Sequence, residues 1–118
     1  MSLSETDVEK KLTDHLRALG WRIEQTHSTG YTDLIARRGD EVLVCELKGV
    51  TKSPETAVDI GYGQILRAMS RHPDASYALV VPEALLSKAQ RVSKDVRRKL
   101  GLTVLVVPEA GEIYPDNA

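Results

Sequence analysis

The sequence has 118 residues, 42% of them hydrophobic and 28% charged, enough for one core and too few to divide comfortably into two. No apolar stretch approaches the roughly 20 residues that cross a bilayer, so the membrane class is set aside. Sixteen Lys and Arg against seventeen Asp and Glu leave a net charge of -1, so any contact with nucleic acid must rest on a local patch rather than on bulk charge.

A single domain over 1–118 is therefore expected. The opening residues have neither a basic start nor an apolar segment, which argues against a secretory signal. Cys45 is alone and lies in an apolar run, as a small core residue does in a reducing compartment, and a cytoplasmic location is expected.

In chain order, Ser4 can cap a helix whose Val8, Leu12, Leu16 and Leu19 fall at helical spacing until Gly20. Trp21 to Gln25 reads as a short strand, His27 to Gly30 as a polar turn, and Tyr31 to Ala36 as an extended segment. Glu41 to Lys48 is the next strand, and Gly39-Asp40 suits a two-residue hairpin loop, glycine supplying the positive φ. A helix follows from about Glu55 to Arg71, interrupted by Gly61 and Gly63. The remainder reads as strand Ser76 to Val81, helix Ala84 to Leu100 and strand Leu102 to Val107. Both late strands are continuously apolar, as parallel strands buried on two faces are, with the helix between them as their crossover. The order predicts an α/β fold with a central mixed sheet flanked by helices.

The hairpin loop sets a register. If Arg38 faces Glu41, then Ile35 faces Val44 and Asp33 faces Glu46. Side chains alternate along a strand, so Val44, Glu46 and Lys48 share one face. Two carboxylates with Cβ atoms about 5 Å apart repel unless something positive neutralises them. A divalent cation does so, and hard oxygen ligands without histidine or thiolate favour Mg²⁺ or Mn²⁺. Asp33, Glu46 and Lys48 then suit metal-assisted hydrolysis of a phosphodiester, with Lys48 orienting or deprotonating water or stabilising charge on phosphate.

These residues resemble the PD-(D/E)XK nuclease superfamily, the restriction-endonuclease-like fold, in a compact form similar to archaeal Holliday junction resolvases and stand-alone repair nucleases. Gly30-Tyr31-Thr32-Asp33 resembles the first motif and Glu46-Leu47-Lys48 the second, with Thr32 where the name has proline. Glu9 resembles the upstream acid of the opening helix and Gln64 the glutamine of the following one, while Ala68 stands where some relatives have tyrosine. The resemblance implies a three-layer α/β/α fold and a metal held by Asp33, Glu46 and the main-chain carbonyl of Leu47. Glu9 would assist through water, and Lys48 would act in catalysis. It also implies a DNA substrate, branched or repair-related, cut by an endonuclease more readily than an exonuclease, and it leaves room for a homodimer.

On the Ala84 to Leu100 helix, Leu85, Ala89, Val92, Val96 and Leu100 form a core stripe. Lys88, Arg91, Lys94 and Arg98 form a second stripe beside it, suited to phosphates. Two rivals stand against the nuclease: a non-catalytic nucleic-acid-binding or scaffold protein with the same fold, and a subunit of a larger restriction or repair complex.

Overall fold

The computed structural model describes residues 2–26 and 33–117, apart from the side chains of Gln25 and Thr26. The Gly30-Tyr31-Thr32 part of the first motif, and His27, lie outside the described residues.

Helix α1 spans Glu5–Ala18 and starts in a reciprocal cap. Ser4 Oγ accepts from Asp7 N at 3.1 Å, and Asp7 Oδ2 accepts from Ser4 N at 3.0 Å. Val8, Leu12 and Leu16 are buried, but Leu19, expected to continue that stripe, is the C-terminal cap residue and is exposed. The last helical turn ends one residue too early to carry it inward.

Strands β1 (Arg22–Thr26), β2 (Leu34–Arg38) and β3 (Glu41–Leu47) form an antiparallel meander. Gly39 has φ +60°, and no described non-glycine residue has positive φ. The β2–β3 turn thus takes positive φ at its first central position alone, as a type II′ turn does. The register follows the loop: Arg38 pairs with Glu41, Ile35 with Val44 and Leu34 with Cys45.

Helix α2 runs unbroken from Pro54 to Arg71 in spite of its two glycines, with Pro54 in the first turn where a missing N–H costs nothing. It carries the chain to β4 (Ser76–Pro82), parallel to β3, and β5 (Leu102–Val107) lies parallel to β4.

The crossover between β4 and β5 differs from expectation. In place of one helix over 84–100 there are a 3-10 turn at Glu83–Leu85, a short α3 (Leu86–Ala89) and a separate α4 (Lys94–Lys99). Ser93 begins the second helix afresh, its Oγ accepting from Val96 N at 3.3 Å. The break shifts the helical phase, so Val96, expected in the core, is 46% exposed, and Arg97 is buried at 3%. Arg97 is accommodated by an ion pair with Asp116 at 3.2 Å, to which Gln90 Nε2 also donates. A short strand that the sequence reading does not include, β6 (Tyr114–Pro115), pairs antiparallel with β5.

The six strands stand in the order β1-β2-β3-β4-β5-β6. Val8, Leu12 and Leu16 of α1 pack on one face with Leu34, Cys45, Leu47 and Val80. Val58, Tyr62 and Ile65 of α2, with Ala89 of α3, pack on the other with Ile35, Val44, Leu79 and Val104. This is a three-layer α/β/α arrangement around a mixed sheet, as the sequence predicts.

Candidate active site

The carboxyl end of β3 emerges between the first turn of α1 and the first half of α2. Continuing the β2–β3 ladder one step beyond Leu34–Cys45 brings Asp33 level with Glu46. Asp33 Oδ2 accepts from Leu47 N at 2.9 Å, which fixes its carboxylate at the strand end. By strand alternation Asp33 and Glu46 face the α2 layer, alongside Ile35 and Val44.

Glu46 is only 3% exposed. Burial, then a hydrogen bond with Asp33 and the negative charge of Asp33, raise its pKa to about 8, against the opposing pull of Lys48. Glu46 thus keeps its proton well past the usual carboxylate range. The same two acids, after burial, push the thiol of fully buried Cys45 upward, so it stays a neutral core group.

Lys48 Nζ donates to Gln64 Oε1 at 3.2 Å, so the expected glutamine of α2 meets the expected lysine of β3. The stem of Lys48 runs over Gly61 of the same helix.

Three contributors escaped the sequence reading. Glu5 is the α1 acid whose charge bears on Glu46. Glu9 stands one turn further along the same helix face, half-buried, with Oε1 shielded from solvent. Gly49 allows this approach: a Cβ there would overlap Glu5 N and the Ser4 carbonyl carbon, and Val50 N donates to Leu3 O at 2.9 Å. Gly61 is the third. The glycines are visible in the sequence, but only the packing of helix on strand says what they admit. Ser4, Glu5, Lys48, Gly49 and Thr51 line a cleft of about 270 Å³ at this corner.

The four basic residues expected on one stripe are divided by the break before Ser93. Lys88 pairs with Glu55 at 3.2 Å and Arg91 with Asp59 at 2.9 Å, so both tie the crossover to α2. Arg98 pairs with Asp95 at 3.4 Å. Lys94 lines a separate cleft of about 190 Å³ with Arg97, Arg98, Leu102, Thr103, Asp116 and Asn117.

Among the described residues no three His, Cys, Asp or Glu side chains gather as a ready metal cage. The donors the strand end brings together are the carboxyl of Asp33 and the protonated carboxyl of Glu46. This fits Mg²⁺ or Mn²⁺, which keep several waters and need few protein ligands. A divalent cation would take the place of that proton.

No protein-family model and no curated protein matches the sequence. The fold, a three-layer architecture around a mixed six-stranded sheet, does match solved structures. It is similar to an XisH family protein from Nostoc punctiforme PCC 73102, with a TM-score of 0.62 and 19% identity over 91% of this chain and 95% of that one. It is also similar to an fdxN element excision controlling factor protein from Anabaena variabilis, with a TM-score of 0.57 and 22% identity over 92% and 96%. At these identities the likeness is one of fold. No helix is long and apolar enough to cross a membrane among the described residues.

Proposed function

We propose that the protein is a divalent-metal-dependent nuclease of the restriction-endonuclease-like class that hydrolyses phosphodiester bonds in DNA, with branched or recombination intermediates as its substrates. The observation that carries this reading is Glu46, a buried carboxyl hydrogen-bonded to Asp33 at a strand end where Lys48 also sits. A carboxylate pair at this depth is costly to ionise without a cation. The neighbour named for control of fdxN element excision lends further support to a DNA substrate.

Asp33, Glu46 and the main-chain carbonyl of Leu47 would hold Mg²⁺ or Mn²⁺, which when bound supplies Lewis-acid polarisation and an acidified water. The chain's own part is positional. Leu47 N orients Asp33, and Gln64 Oε1 anchors the Lys48 ammonium. In that place the ammonium stabilises negative charge building on a phosphate oxygen. Glu5 and Glu9 add negative charge on the α1 side, which favours a cation over a bare anion at the corner.

The test is cleavage of labelled linear duplex, single strand, flap, four-way junction and RNA with Mg²⁺, Mn²⁺ or EDTA, beside Lys48→Ala and Glu46→Ala. Metal-dependent cutting that falls by about 100-fold or more in each variant is expected. Binding without cutting in the wild type and both variants would move the assignment to a non-catalytic DNA-binding protein.

A further inference from the structure

Lys48 crosses α2 at the place where the helix lacks a side chain. A Cβ on Gly61 would lie 3.1 Å from Lys48 Cε, 3.8 Å from Lys48 Cγ and 3.0 Å from Leu79 Cδ1. Gly61 is buried in the middle of an 18-residue helix, a position where glycine weakens a helix relative to alanine. The second glycine is different: a Cβ on Gly63 would meet only Arg67 Nη1 at 3.6 Å, an ordinary contact. Gln64, three residues after Gly61 and so on the same side of the helix, takes the Lys48 ammonium at 3.2 Å. One helix therefore supplies a trough for the lysine stem and an anchor for its head.

We propose that Gly61 is a positioning residue for Lys48, its missing side chain setting where the ammonium stands between Gln64 and Glu46. The catalytic consequence rests on the nuclease reading above; the placement of the lysine does not. When alanine replaces Gly61, Leu79 is fully buried and hemmed in by the core, whereas the half-exposed Lys48 stem has room to swing away. The stem then shifts by at least a few tenths of an ångström, and the ammonium is moved from its place beside Gln64.

The experiment compares wild type, Gly61→Ala and Gly63→Ala in single-turnover cleavage with Mg²⁺, and by NMR with labelled lysine and glutamine. The NMR reads the contact between the Lys48 ε-methylene and the Gln64 side-chain amide. Gly61→Ala is expected to fold with a lower Tm, because its Cβ meets buried Leu79 Cδ1 at 3.0 Å, to weaken the Lys48–Gln64 contact, and to lower the single-turnover rate by about 10-fold or more. Gly63→Ala is expected to match wild type in every readout. Retention of the Lys48–Gln64 contact in Gly61→Ala overturns the proposal, whether or not kcat changes. If Gly61→Ala does not fold, the same change is made in a Leu79→Val background, which removes the Cδ1 atom that the new Cβ meets, with Leu79→Val alone as reference. If the wild type cuts no substrate, the nuclease reading fails and the NMR contact alone decides the placement.

Discussion

Glu46 holds its proton to about pH 8 because burial and the Asp33 carboxyl both disfavour its charge. An unfolded glutamate releases that proton near its ordinary value of 4.5. Between those two values the folded chain binds more protons than the unfolded one, so stability falls as pH rises through the window and levels off above it. In EDTA, thermal scans from pH 5.5 to 8.5 should show a falling Tm, the loss amounting to a few kcal/mol in order of magnitude. Glu46→Gln, neutral throughout, should flatten that slope, and an unchanged slope would place the titration elsewhere. Gly49→Ala is a second test at this scale. Its Cβ has no space against the backbone of Ser4 and Glu5, so α1 must move and a loss of about 3 kcal/mol or more in urea unfolding is expected. The Asp33, Glu46 and Lys48 cluster was legible because a strand alternates and a two-residue loop fixes register. Glu5 was not, because Glu5 and Glu9 have the same helical phase. The contact of α1 with Gly49 is what brings Glu5 to this corner.

Among the elements, the segment from Glu83 to Lys99 departs most from its pattern. Apolar spacing favoured one helix, and the competing signal was Ser93, a strong N-cap in front of Asp95, whose local hydrogen bond restarts the helix. Lys88 and Arg91, ahead of the restart, pair with acidic residues of α2. These pairs are largely exposed, so Arg91→Ala should cost about 0.5–1 kcal/mol in chemical unfolding, in the range of surface ion pairs. DNA affinity should stay within about two-fold, since Arg91 is already engaged by Asp59. A large fall in affinity, with a shallower salt dependence, would return Arg91 to the phosphate-contacting role that its sequence spacing suggests. Helix α2 shows the opposite lesson. Its glycines read as interruptions from propensity alone, yet tertiary packing keeps the helix whole.

For the whole molecule, the sheet was legible in strand type and direction, since unbroken apolar runs mark the parallel strands and the Gly39-Asp40 loop marks the hairpin. Its far edge was not, because β6 is two residues long and what holds it is long-range. Asp116, just after β6, receives Arg97 and Gln90, and its N–H donates to Val104 O at 2.8 Å. Both side chains of the Arg97–Asp116 pair are buried, so removing one strands the other. Asp116→Ala should cost about 3–5 kcal/mol by urea unfolding, whereas replacing both partners with apolar residues should recover much of the loss.

The order of the strands along the sheet is their order along the chain. During synthesis each new strand can therefore settle against the one made just before it, and none has to be threaded between two that are already paired. Asp33, Glu46, Lys48 and Gln64 all leave the ribosome before β4 does. The candidate site thus lies in the half of the chain that is made first, and the later strands are added beside a corner whose register the Gly39-Asp40 turn has already set.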